Sequence, residues 1–344
     1  MGNMWRRIFR SRKPAASANR AQPAAVMTAR APPMAPITRS AMPPAELEDR
    51  FHRFVFDLPD SDAGKLRAAE LATLRRLELL GTRFDVRNLP RLPVVLPQLL
   101  RTLKSGNAAG GQLATLIGRD PLIVGEVMRV TGSVHYRAAQ PINSLQQAVV
   151  VLGQEGLHRV LVQHVMKPIL QSNAGAFGHA AGERLWSHAE RCAHACAWLG
   201  KASGCDAFEA YLAGVICHTG TGAVVRLLGR LAPTDGAPPS PHFLAGCADL
   251  AARLTLQAAQ HWELPPRVID AITEYRNRAS PAASPLGKAL VVADQLAMAQ
   301  LLGEHDRIAQ DLDLGPAWPE SFAPASVVRC QHDLRRNFPP REGA

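Results

Sequence analysis

From about residue 46 the apolar positions recur at roughly helical spacing. Leu66, Leu71, Leu74, Leu77 and Leu80 follow one another and stop at Gly81, a residue suited to a helix C-terminus. Short, well-punctuated helices are then expected to about residue 170. Asp120-Pro121 supplies an N-cap and a first-turn proline, and Ser144 with Gln147 makes a capping box ahead of the apolar run 148–152, which Gly153 breaks. Small residues dominate 171–182 and predict a connector. A second group of helices is expected over 183–200, 206–218, 243–262, 265–276 and 285–301, interrupted by a Pro/Gly-rich loop at 232–241. Beyond Gly303 the chain turns charged and proline-rich, with one helix expected at 325–335. No long stretch alternates β-branched residues between hairpin turns. The expected fold is all-α, with two packed helical subdomains.

The first 45 residues obey a different pattern. Residues 14–45 hold seven prolines and no apolar periodicity, so they are expected to stay disordered, since they bury too little surface to offset chain entropy. Ahead of them Trp5, Ile8 and Phe9 alternate with Arg6, Arg7 and Arg10, a short basic amphipathic pattern. Such a segment, residues 1–13, suits weak contact with an anionic membrane, or else it is a solvated tail.

Charge sharpens this division. The 344-residue chain carries a net +10, but residues 1–45 hold eight Arg/Lys and no acid, which leaves 31 basic and 29 acidic residues for the rest. A nearly neutral body gives no basic footprint for a nucleic acid, and none is expected as partner. The helix pair 112–118 and 121–130 has a helix-turn-helix outline, yet Arg129 is the main basic group on its second helix. Six cysteines without a secretory signal fit a reducing, cytoplasmic compartment, with cysteine used as a small core residue. No 18-residue apolar run is read from the sequence, so a soluble protein is expected.

The motifs resemble a known family. Arg119-Asp120-Pro121-Leu122, Val127 to Val130, Ser133, Tyr136, Pro141 to Leu145 and Ala148 to Gly153 follow in order. Leu185-Trp186-Ser187-His188, Tyr211 to His218, Trp262-Glu263-Leu264-Pro265 and Ala293 to Ala297 come after them. Together, from about Leu89 to Ala297, they resemble the HDOD family of bacterial all-helical domains related to HD metal-dependent phosphohydrolases. The resemblance marks an HDOD-like domain over 88–302 (subdomains 88–170 and 183–302), and the residue patterns around it give a tail over 1–45, a helical extension over 46–87 and a C-terminal extension over 303–344. It also implies signalling or regulation through protein or ligand binding, in a degenerate HD domain.

The chain departs from that pattern where chemistry would sit. HD enzymes carry His-Asp where this chain has His218-Thr219, and threonine brings no charge to a metal. Paired histidines give way to Glu274-Tyr275-Arg276, and an expected Asn is Gly132. His188, His218 and Asp294 remain as vestigial metal candidates, or as neutral, hydrogen-bonded residues at helix contacts. His188, Cys192 and Cys196, at i, i+4 and i+8, could face Cys217-His218 as a zinc-like set, but no CxxC pair accompanies them. Gly118, Gly125, Gly132, Gly153 and Gly156 form no phosphate-binding loop.

The expectation is therefore a non-enzymatic regulatory protein with no cofactor and no catalytic residues, acting on an unidentified signalling partner. Two alternatives are a degenerate HD-type phosphohydrolase and a domain tethered to anionic membranes by residues 1–13.

Overall fold

The computed structural model describes residues 42–59, 65–82, 110–132, 142–171, 178–229, 231, 239–277, 282–309 and 322–339. Its helices are α1 (Pro44–Val55), α2 (Ala68–Thr82), α3 (Gly110–Ile117), α4 (Pro121–Thr131), α5 (Leu145–Gln171), α6 (Gly178–Ala202), α7 (Ala207–Ile216), α8 (Thr219–Leu228), α9 (Pro241–His261), α10 (Pro266–Arg276), α11 (Pro285–Glu304) and α12 (Pro324–Asn337). Among the described residues there is no strand. The expected tail lies outside the described residues up to 41, as do Leu89 to Pro93, Ser133, Tyr136 and Pro141. Its expected limit at 45 falls inside α1, which begins at Pro44.

Local signals start most of these helices. Prolines open α1, α4, α9, α10, α11 and α12, where the missing N–H has no intrahelical partner to lose. Side chains cap others: Asp206 accepts from Glu209 N at 2.8 Å, Ser240 from Phe243 N at 3.2 Å and Ser284 from Gly287 N at 2.9 Å. The expected capping box exists in a shifted form. Ser144 accepts from Gln147 N at 3.2 Å, while the Gln147 amide oxygen accepts from Asn143 N. Gly153 sits at φ 62°, ψ −178° and splits α5 into two helical pieces.

Helix α6 organises the second half of the molecule. It packs against α7 and α11 over most of its length and meets α5 and α12 on other faces. Ala189, Cys192, Ala193 and Cys196 are buried on it, and such small side chains let neighbouring backbones approach. A Cβ at Gly214 of α7 would stand 2.6 Å from Ala193 Cα, so this crossing tolerates hydrogen alone. Helices α3 and α4 pack on α5.

Helices α1 and α2 are bound to this second half by buried charge. Arg53, 1% exposed, donates to Asp49 at 2.7 Å and to the carbonyls of Pro59 and Pro239. Glu70, 2% exposed, accepts from Ser240 N at 2.7 Å and Ser240 Oγ at 2.9 Å, which ties α2 to the start of α9. Each buried charge is thus met by donors or acceptors that replace water.

One sequence expectation needs correction. The helix expected over 206–218 is present as α7 but ends at Ile216, and after a break at Cys217-His218 a further helix, α8, follows that the sequence reading did not expect. The backbone leaves helical geometry at His218 (φ −107°, ψ 17°). The physical reason lies across the contact: a Cβ at Gly220 would overlap Ala251 O, so α8 is pressed backbone to backbone on α9. Thr255 Oγ1 accepts from Gly220 N at 2.9 Å and donates to Cys217 O, which fixes the turn. Within Ala207–Leu228 an 18-residue window reaches a mean hydropathy of 1.3, enough by length and composition to cross a membrane, yet Glu209, His218 and Arg226 interrupt the apolar run and 89% of that window is buried inside the molecule.

Two stability predictions follow from these contacts. Gly220→Ala is expected to destabilise by roughly 3 kcal/mol through overpacking, whereas Gly125→Ala, with nothing within 4 Å of the new methyl, is expected to be neutral or stabilising by up to about 1 kcal/mol. Denaturant unfolding of both variants checks the contrast. His158, buried with its ring centroid 4.1 Å from that of Phe208 in a tilted contact, is driven down to about pKa 4 by burial, against the pull of Asp206. A base with a depressed folded pKa leaves stability intact above pH 6.5 and erodes it as pH falls toward 4, by up to roughly 3 kcal/mol. Unfolding of His158→Leu across that range is expected to lack this acid-side loss.

Candidate functional site

Four elements converge on one buried carboxylate. Helix α11 carries Asp294, α6 carries His188, the α7–α8 junction carries Cys217 and His218, and α10 carries Tyr275. Asp294 Oδ1 lies 3.0 Å from His218 Nε2 and 3.1 Å from His188 Nε2. Its Oδ2 accepts from the Tyr275 hydroxyl at 2.8 Å. His218 Nδ1 stands 3.1 Å from Thr221 Oγ1, one turn into α8. His188 is 0% exposed, Asp294 3% and His218 4%, so water reaches none of them freely.

The two imidazoles are not equivalent. His218 bonds through both nitrogens, whereas neither nitrogen of His188 makes a hydrogen bond, its Nε2 being close to Asp294 in distance but poorly directed. Burial works against charge on either ring. At His218 burial is the largest single effect, but the Asp294 charge, its hydrogen bond and smaller neighbouring charges together outweigh it and hold the ring up at about pKa 9, while at His188 burial prevails and lowers it. Burial would raise Asp294, yet the positive His218 and the two imidazole contacts hold it well below the usual carboxylate range. The resting cluster is therefore an imidazolium–carboxylate pair beside a neutral imidazole. The sequence expectation of two neutral, hydrogen-bonded histidines holds for neither ring in full.

Cys217 Sγ completes the cluster. The donor atoms of His188, Cys217, His218 and Asp294 all lie within 4.8 Å of one another. Cys217 Sγ donates to Gly214 O at 3.1 Å and stands 3.7 Å from Cys192 Sγ. Burial pushes the Cys192 and Cys196 thiols well up, so these are protonated core thiols, and Cys196 is not among the converging donors. Of the expected zinc-like set the structure thus keeps His188, Cys217 and His218 and adds Asp294.

Thr219 sits next to this cluster in sequence and is 2% exposed, with its Oγ1 lacking a hydrogen-bond partner. No carboxylate stands at 219, so the two-carboxylate set expected of an HD hydrolase is not formed. Phe51 of α1 closes the remaining approach. Its ring is 4.7 Å from the His188 ring and 5.2 Å from the His218 ring, and it is 0% exposed. Sequence reasoning did not place Phe51 or Thr221 here, because both arrive through packing of distant segments. Tyr275 lies in the segment where the resemblance led to an expectation of paired histidines, and its hydroxyl donates to Asp294 Oδ2 at 2.8 Å.

A shallow cavity of about 240 Å³ lies between α1 and the start of α9, lined by Glu48, Asp49, His52 and His242 with Leu244 and Ala248. It is separate from the four converging donors, none of which lines it.

Comparison with known proteins fits this architecture. Residues 89–235 match the family model of the HDOD domain. The resemblance read from sequence ran on to Ala297, so Asp294 and Tyr275 lie beyond the matched span. A crystal structure from Shewanella amazonensis SB2B, named provisionally as a metal-dependent phosphohydrolase, superposes with a TM-score of 0.52. It is 16% identical and covers 78% of this chain and 99% of its own. An HDOD domain protein of unknown function from Geobacter sulfurreducens, 18% identical, covers 78% and 99% with a TM-score of 0.48. A Treponema pallidum (strain Nichols) protein, itself uncharacterized, is 25% identical over 203 residues. That is 55% of this chain but only 38% of the relative's length. The motif series read from the sequence and the family-model match agree over residues 89–235, which are similar to the HDOD domain.

Proposed function

We propose that this chain is a non-catalytic regulatory protein, cytoplasmic, whose HDOD domain acts by binding a signalling partner or ligand. The observation that carries the non-catalytic half is the closure of the centre: Thr219 replaces the second carboxylate and the Phe51 ring packs on both imidazoles. Hydrolysis at a metal requires a coordination position open to water and substrate, and a low-pKa nucleophile there. Here the space beside the imidazoles holds an aromatic ring. The His218–Asp294 pair also consumes the charge that would otherwise face an ion or a phosphate.

The regulatory half rests on the family. An HDOD domain implies signalling or regulation, and with the His188–His218–Asp294 centre closed, binding falls to other faces of the molecule. The bound partner remains a protein of the signalling class.

Turnover decides the first half. Full-length protein supplied with Mg²⁺, Mn²⁺ or Fe²⁺ is expected to hydrolyse phosphodiesters, phosphomonoesters and nucleoside triphosphates no faster than His218→Ala. Turnover above that variant overturns the non-catalytic reading. Thr219→Asp is expected to remain inactive, because it restores a carboxylate without opening a substrate position. Without metal it should lose about 1–3 kcal/mol of stability, since the new charge is buried without a partner. Chemical unfolding measures that loss.

A further inference from the structure

We infer that the cavity between α1 and the start of α9 is a socket for an arginine side chain presented by a protein partner. The inference rests on the regulatory reading and supplies what that reading leaves open, the chemistry of the partner. Two facing stripes build the cavity. Ala45, Glu48, Asp49 and His52 stand at i, i+3, i+4 and i+7 on α1, and Pro241, Leu244, Ala245 and Ala248 repeat that spacing on α9. Alanine at three of these positions leaves the space that larger side chains fill between packed helices. Because α1 precedes the matched span 89–235, this wall is no part of the matched HDOD pattern.

The two walls differ in chemistry. The carboxylates of Glu48 and Asp49 stand on α1, while the α9 wall is apolar apart from the exposed His242, and no Lys or Arg is among the described residues that line the space. An independent observation shows one carboxylate incompletely satisfied. Arg53 donates to Asp49 Oδ2 at 2.7 Å and directs its other nitrogens to the carbonyls of Pro59 and Pro239, so Asp49 Oδ1, buried from water, has no hydrogen-bond donor. Native interiors rarely leave a charged acceptor in that state. A donor entering from the cavity corrects it.

Size and charge select the occupant. About 240 Å³ lies below the roughly 300–1,000 Å³ of pockets that enclose drug-sized ligands, and two carboxylates repel a phosphate. A single long side chain fits. It needs a cationic head for Glu48 and Asp49 and an aliphatic stem for Leu244 and Ala248, the two parts that lysine and arginine combine. Arginine suits the site better, because its planar fork reaches two acceptors at once and is more weakly hydrated than an ammonium. Buried arginine is also an enriched anchor at protein interfaces.

The test titrates full-length protein, labelled with carbon-13 at the histidine rings, with N-acetyl-arginine amide, whose capped ends leave one positive charge. The His52 and His242 resonances, assigned with His52→Gln and His242→Gln, are expected to shift saturably. N-acetyl-citrulline amide, of similar shape without the charge, is expected to bind at least about tenfold more weakly, and Glu48→Gln to weaken arginine binding about tenfold. Ala245→Leu, which fills the cavity from its rim, is expected to abolish the shifts. Wild-type resonances that stay fixed up to the solubility limit of the arginine probe overturn the proposal without reference to any variant. Equal affinity for citrulline, tighter binding of N-acetyl-aspartate amide, or unchanged arginine affinity in folded Glu48→Gln overturns it as well. Turnover in the hydrolysis assay would sink the non-catalytic reading and leave this titration standing, whereas a failed titration removes the arginine socket and leaves that reading intact.

Discussion

The second half of the molecule depends on the compensation of one buried carboxylate. Asp294 sits on α11 with almost no exposure, and an isolated carboxylate there would cost more than a domain's whole margin of stability. It survives because α6, the α7–α8 junction and α10 each turn a polar group toward it: His188, His218 and Tyr275. The same contacts fix how these helices stand against α11. Removing one partner would leave a charge in a low-dielectric interior, so the constraint acts on the relative placement of whole helices and not on one side chain.

The backbone geometry that delivers His218 to Asp294 is itself dictated by packing. Gly214 lets α7 lie against α6, and Gly220 lets α8 lie against α9. Between those two contacts the chain has to leave helical geometry, and Cys217 and His218 occupy the bend. A continuous helix across 206–218 would carry both side chains onward at the same 100° step, with no such bend to aim them. The turn converts a hydrophobic segment, apolar enough to cross a membrane, into two buried helices with a polar hinge.

Helix α1 explains how a centre of this kind stays closed. The helix lies outside the matched HDOD span, yet it is anchored by Arg53 to Asp49 and two backbone carbonyls and places Phe51 on the two imidazoles. An aromatic ring there excludes water and lowers the local dielectric, which strengthens the His218–Asp294 attraction and penalises charge on His188. Closure by Phe51 and loss of the carboxylate at 219 act in the same direction, away from hydrolysis.

The sequence by itself determined the helices that carry their own start and stop signals. Asp120-Pro121, Ser144 with Gln147, and the break at Gly153 are local chemistry, and local chemistry is legible without a fold. It also determined His188, His218 and Asp294 as a candidate set, with Thr219 as the missing carboxylate, because a motif series kept their order. Tertiary structure decided the rest. The split of α7 from α8 depends on Ala251 and Thr255, more than thirty residues away, so no window around Gly220 reveals it. The entry of Phe51, the choice of Cys217 over Cys196 and the unequal protonation of the two histidines depend on distances between segments far apart in the chain. Periodicity reports which face of a helix is apolar; only packing sets which neighbour that face meets, and the chemistry of the centre follows from the neighbour.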